Sequence, residues 1–239
     1  MAKGAAQPVY ISLPGTRQRT EESMKGLILK EFIYVYHLYL KVILIMFGFY
    51  LFLAIAASGE RMDNYTIASA LTALFAVLPL ATFSLDKASH WDRYALSCPL
   101  DRRMLVLSKY IFSFLSILMG TVFALVYMAI ISLVQGMPSA QELSEIGRFI
   151  FYFSLAALLF SSCMLPCIYR FGPDKARLFT FLLIGLPFVI GIAVKKLHIA
   201  LPSGEQMETL AVFAPFLVLL AIYLSYRLSL HIFYQQEID

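Results

Sequence analysis

From Leu38 onwards the chain alternates long apolar runs with short polar breaks. A helix that crosses a bilayer needs about 20 largely apolar residues, with a range of about 17–25. Six runs reach or approach that length: Leu38–Ala57, Thr66–Phe83, Tyr110–Val134, Phe149–Ile168, Leu178–Val194 and Leu210–Tyr226. The last two are short and call for tilt or local bilayer thinning. Pro187, inside the fifth, predicts a kink. The pattern predicts an all-α integral membrane protein with six transmembrane helices.

The breaks carry the orientation. Lys3, Arg17, Arg19, Lys25 and Lys30 precede the first run. Lys87, Arg93, Arg102, Arg103 and Lys109 lie between the second and third. Arg170, Lys175 and Arg177 separate the fourth from the fifth, and Arg227 follows the sixth. The opposite side holds only Arg61, Arg148, Lys195 and Lys196. Cationic flanks stay cytosolic, so both termini are expected in the cytosol, which requires an even number of spans.

Before the first run, Met24–His37 mixes Lys and Glu with Leu, Ile, Phe and Tyr and reads as an interfacial helix. Residues 1–23, with Gly4, Pro8, Pro14 and Gly15, read as a flexible leader. They lack the apolar core of a secretory signal, so the first span is expected to direct insertion. Residues 24–239 form a single transmembrane domain. Of the outer segments, Lys195–Thr209 is expected to join a helical hairpin rather than form a plain loop.

Composition agrees: 60% of the 239 residues are hydrophobic and 14% charged, against about 25% charged in a soluble domain. Cys98, Cys163 and Cys167 are odd in number and have no His or acid beside them, so core packing is expected rather than a disulfide or metal site. None of the six runs contains an acid, which weakens ion-coupled transport, because a buried intramembrane charge costs about 2.5–3.5 kcal/mol by insertion scales and is kept for function. No GxxxxGK[ST] occurs, so the chain cannot itself cradle ATP phosphates. Nothing predicts a catalytic residue, a bound cofactor or nucleic-acid binding.

The polar island Ser84–Tyr110 stands apart. It holds the only Trp in the chain. Asp86–Ser97 is predicted to be one helix, with Trp91, Tyr94, Ala95 and Cys98 on a shared face. Pro99 ends it, and Asp101 is placed to N-cap a helix beginning Arg102–Arg103. The result is a cytosolic hairpin with Pro99 near its tip. Its mix of Trp, Tyr and Arg suits a protein contact; the plainer alternative is an interfacial aromatic belt with positive-inside arginines.

The island string from Asp86 through Trp91-Asp92-Arg93-Tyr94-Ala95-Leu96-Ser97-Cys98-Pro99-Leu100-Asp101-Arg102 to Ser108-Lys109-Tyr110 resembles the first cytosolic loop of ABC-2-type exporter permeases. Among them it is most similar to those exporting phenol-soluble modulins and antimicrobial peptides in Gram-positive bacteria. The stretch Met24–Phe32 resembles that group's start, and Cys98 departs from its usual small or apolar residue. The resemblance implies a homodimeric permease in the bacterial plasma membrane. Each copy would dock a separate ATP-binding subunit that carries ATP and Mg, and the dimer would export amphipathic peptides. It also implies an ATPase-coupling contact built from Lys25, Lys30, Glu31, Asp86, Trp91, Asp92, Arg93, Tyr94, Pro99, Arg102 and Arg103. The rival reading is an ATP-independent immunity or scaffold protein that binds toxic peptides.

Overall fold

The computed structural model describes residues 16–56, 64–91, 94–95, 101–136, 138–196 and 204–235. They are helical apart from short turns and caps, with no strand among them. α1 (Thr16–Tyr34) continues through a π-helical turn (Val35–Tyr39) into α2 (Leu40–Ala56). α3 (Asn64–Ala76), α4 (Leu78–Ala88), α5 (Arg102–Gln135), α6 (Ala140–Lys196) and α7 (Gly204–Gln235) follow.

Local chemistry sets the boundaries. Val77 is a one-residue turn between α3 and α4, and Pro79 occupies the first turn of α4, where its missing N–H costs nothing. Asp101 caps α5 as its sequence predicts: its Oδ1 accepts the backbone N–H of Arg103 at 3.2 Å. Gly136, at φ +104°, ends that helix. Ser139 and Glu142 form a reciprocal capping box at the start of α6, with bonds of 2.8 and 3.2 Å.

α6 consists of two helical limbs that meet at a kink. Gly172 has φ 79° and ψ 165° inside it, a conformation open essentially to glycine alone. The hydroxyl of Thr180 lies 3.2 Å from Sδ of Met164. In a straight helix 16 residues rise about 24 Å, so the chain doubles back at Gly172. Met164 and Ile168 on one limb pack with Ala176 on the other and with Leu80 of α4. Pro173 directly after Gly172 completes the glycine-then-proline stop.

Among the described residues five helices are long and apolar enough to cross a membrane: Met24–Leu53, Tyr65–Ala88, Arg102–Val134, Ala140–Leu186 and Ala211–Gln235. The fourth contains the Gly172 hairpin, the whole of the fourth predicted run and the first half of the fifth. α3 packs along α5, where Gly120 lets Phe75 approach closely. α6 packs on α7, and α1 leans on α5. Apolar side chains such as Ile45, Phe52 and Phe216 remain exposed on the outside of the bundle, as lipid contact allows.

Several expectations need correction. No break separates an interfacial helix at Met24–His37 from the first span, because the π turn keeps the backbone helical. Residues 16–23, assigned to the leader, form the first turns of α1, while residues 1–15 lie outside the described residues. The backbone stays helical through Pro187, and a break at Gly172 falls in the polar stretch between the fourth and fifth runs. Cys163 is exposed rather than packed in the core, and Cys167 is half-buried; Cys98 lies outside the described residues. So do residues 197–203 of the Lys195–Thr209 segment, while Lys195–Lys196 end α6 and residues 204–209 begin α7.

Candidate functional site

Each predicted span begins or ends a turn or more inside the helix that carries it, so charged residues assigned to the flanks sit on the bundle. α1 brings Lys30 and Glu31, α4 brings Asp86 in its last turn, and α5 brings Lys109 two turns in. The four side chains close a ring of alternating charge. Lys30 Nζ lies 2.6 Å from Asp86 Oδ1, and Asp86 Oδ2 takes Lys109 Nζ. Lys109 Nζ lies 2.7 Å from Glu31 Oε1, and that oxygen returns to Lys30 Nζ at 3.0 Å. The side chains are 15% (Lys30), 2% (Glu31), 3% (Asp86) and 8% (Lys109) exposed.

Desolvating one such charge alone costs several kcal/mol, so the ring persists because each member has two opposite partners. Aromatic faces complete the shell. The Trp91 ring centroid lies 4.3 Å from Lys30 Nζ, and that of Phe83 lies 4.4 Å from Lys109 Nζ. Below the ring, Leu27, Ala95, Leu105, Val106, Tyr110, Leu165 and Phe233 form an apolar cluster, with Trp91 packed against it.

A cavity of about 240 Å³ opens beside the ring. Lys30, Glu31, Asp86 and Lys109 line it together with Phe83, Trp91, Tyr169 and Phe233, and Lys87, Gly172 and Pro173 border it. At this rim Lys87 pairs with Asp174 at 2.5 Å, and Arg177 donates to Ser84 Oγ at 3.2 Å. The Gly172 hairpin is thereby fastened to the end of α4.

The predicted contact residues separate into two groups. Lys30, Glu31 and Asp86 converge on the ring, and Trp91 covers it. Lys25, Tyr94 and Arg103 are exposed. Arg102 turns inward, donating to the carbonyls of Phe233 and Tyr234 at 3.2 and 3.4 Å, which ties the end of α7 to the start of α5. Asp92, Arg93 and Pro99 lie outside the described residues.

The single helix expected from Asp86 to Ser97 does not form. α4 stops at Ala88 and His90 takes φ 51°. The Ser89 hydroxyl bonds to the carbonyls of Leu85 and Asp86, which competes with helix continuation. Beyond that turn Trp91, Tyr94 and Ala95 are helical and the Trp91 and Tyr94 rings lie 5.5 Å apart, but Tyr94 is 63% exposed while Ala95 is 1% exposed, and Cys98 lies outside the described residues. Glu31 and Asp86 lie just beyond the ends of the predicted runs, on the same long apolar helices.

Sequence reasoning missed Lys109 as a site residue. Its signal is present in the sequence, because a lone cation between Met104–Leu107 and the apolar run from Tyr110 has no aqueous neighbour on its helix. Among the described residues no cluster of His, Cys, Asp and Glu has the make-up of a metal site.

An all-helical membrane bundle with a buried charge ring where three helices meet is compatible with several transporter classes. The family assignment decides between them. Residues 26–234 match the ABC-2 family transporter protein family. The chain belongs to that family. Its members are membrane-embedded transport subunits, typically without a nucleotide-binding domain of their own, and usually work with an ATP-binding subunit. As an ABC-2 permease, the chain has two members of its charge ring, Asp86 and Lys109, inside the polar island and two, Lys30 and Glu31, on α1. No curated protein matches the chain.

Proposed function

We propose that this chain is the permease half of an ATP-driven exporter in the bacterial plasma membrane. Two copies pair, and each engages a separate subunit that binds ATP and Mg. The limbs on either side of Gly172 supply separate crossings, which makes six with both termini cytosolic. The cargo is an amphipathic or antimicrobial peptide, a reading that rests on the resemblance of the loop to peptide-exporting permeases.

The ring carries the mechanical part of this reading. Its members bracket the polar loop and bind it to α1, so a push on the loop cannot move α4 without moving α1 and α5. The exposed Lys25, Tyr94 and Arg103, with Asp92, Arg93 and Pro99 of the loop, offer the contact. Lys30, Glu31, Asp86 and Trp91 pass the displacement inward, and Arg102 passes it to α7.

Purification from native membranes tests the class: a nucleotide-binding subunit should come down in equal amount. Peptide protection retained without any ATPase would favour the immunity-protein reading. Trp91→Ala/Tyr94→Ala should lose copurification or uncouple ATP hydrolysis from export. Unchanged assembly and export would remove the loop from the mechanism.

A further inference from the structure

A second cavity lies away from the ring, at the depth of the spans. It is a groove of about 480 Å³ between α5, the first limb of α6 and α7. One face of α6 makes its floor. Phe151, Leu155, Leu158, Ser162 and Leu165 follow one another at alternating steps of four and three, which is a single helical stripe. Ser162 and Leu165 at the bottom are buried, while Phe114 and Leu219 on the rims are 51% and 64% exposed. All of them belong to helices long and apolar enough to cross a membrane, so the mouth of the groove faces lipid.

The groove offers little to a polar ligand. Its hydroxyls are engaged within the bundle: Ser113 with Ser161, Ser162 with the Leu159 carbonyl at 2.7 Å, and Tyr110 with Ser225 and Ser229. Among the described residues no charged side chain lines it. A trapped water needs about two to four polar partners, and an empty groove forfeits dispersion contacts along its whole length.

Its dimensions select among apolar occupants. From Phe151 to Leu165 a straight helix rises about 21 Å. Spread over that length, 480 Å³ is a mean cross-section of about 23 Å². An α-helix is about 10–12 Å across and needs about 80–110 Å². Neither an amphipathic helical peptide nor a helix of a second copy is narrow enough to lie in the groove. A single extended hydrocarbon chain is. The groove is also long enough for it, since one leaflet supplies roughly 15 Å, half of the hydrocarbon core.

We propose that this groove is a binding site for one acyl chain of a bilayer lipid, laid along the α6 stripe and flanked by Phe114 and Leu219. So seated, the chain completes the packing of the joint that Tyr110, Ser225 and Ser229 make between α5 and α7.

Native mass spectrometry of the full chain, released from detergent micelles containing phosphatidylcholine, counts retained lipid directly. Dioleoyl phosphatidylcholine is expected as one adduct per chain that survives activation strong enough to strip other lipid. Dihexanoyl phosphatidylcholine has the same headgroup but chains too short to fill the groove, and should not be retained. This wild-type comparison decides the matter even if a variant fails to fold. Leu155→Trp on the floor and Leu219→Trp on a rim should each lower retention at least fivefold. Leu220→Trp, outside the groove and 55% exposed in the wild type, should leave it unchanged. No retained adduct, equal retention of the two lipids, or unchanged retention in a folded Leu155→Trp variant overturns the proposal. Loss of a dimer instead of a lipid in that variant also overturns it and gives the groove to a second copy of the chain.

Discussion

Asp86 and Lys109 lie on opposite sides of the polar loop, 23 residues apart, and form a buried ion pair between α4 and α5. Removing one partner leaves the buried ring with an unbalanced charge, at a cost of about 3–5 kcal/mol. Asp86→Ala and Lys109→Ala should each lower stability on that scale, read by denaturant or thermal unfolding in detergent. The double variant should lose clearly less than the sum, with a coupling of about 0.5–3 kcal/mol. Additive losses would mean that the pair does not act as a unit.

The pair Lys87–Asp174 is the contrasting case. Its separation is a short 2.5 Å, but the side chains are 58% and 66% exposed. Water and salt screen such pairs, so Lys87→Ala should leave the unfolding midpoint unchanged. A marked loss would show that the rim fastens the hairpin more strongly than its exposure implies.

Gly172→Ala should destabilise the chain by about 1–3 kcal/mol, because an L side chain is forced into a glycine-only conformation. The hairpin itself is open to cross-linking. In a variant with Cys98, Cys163 and Cys167 replaced by Ser, cysteines at positions 164 and 180 should be joined by a short bismaleimide. A straight helix would hold them about 24 Å apart and prevent it.

Gly120→Ala would place a Cβ 2.8 Å from the Cβ of Phe75, a backbone-proximal atom that cannot swing away. A loss of about 1–3 kcal/mol is expected from the forced separation of α3 and α5. At Gly48 an added Cβ would meet nothing within 4 Å, and Gly48→Ala should be neutral or slightly stabilising through helix propensity. The two thermal shifts, measured side by side, check the contact.

Tyr110→Phe should remove one bond of 2.6 Å to Ser225 and another of 2.8 Å to Ser229, both linking α5 to α7. The expected loss is about 1–3 kcal/mol, because the buried Ser229 loses this bond while Ser225 still donates to the Ser162 carbonyl. Faster hydrogen exchange in the second half of α7 would locate the effect.

The helical class and the positions of the apolar runs were legible because lipid imposes a long, one-signed hydropathy signal. Asp101 was legible because an N-cap is decided by its own side chain and the next two residues. The ring was not, because it depends on which turns of three distant helices face each other. Lys30, Glu31 and Asp86 were identified only as an outward contact, whereas partners from other helices turn them inward. Hydropathy also misled at the span ends: a charge neutralised by a neighbouring helix can stand inside a crossing that composition would end before it. Gly172 escaped notice because Arg170, Lys175 and Arg177 already looked like an ordinary loop, and a reversal made by one glycine between two helical limbs has no hydropathy signature.

The π turn at Val35–Tyr39 sets the phase of the first helix. Leu40 donates to the carbonyl of Val35, five residues back, so the turn takes in one residue more than an α-helical turn would. Each residue turns an α-helix by about 100°. Without the extra one, the face that holds Lys30 and Glu31 against the ring and the face of Leu40–Ala56 would be out of step by that angle. The wide turn therefore lets evolution re-aim the outer half of the helix toward a new neighbour by a single insertion or deletion, while the charged end keeps its seat.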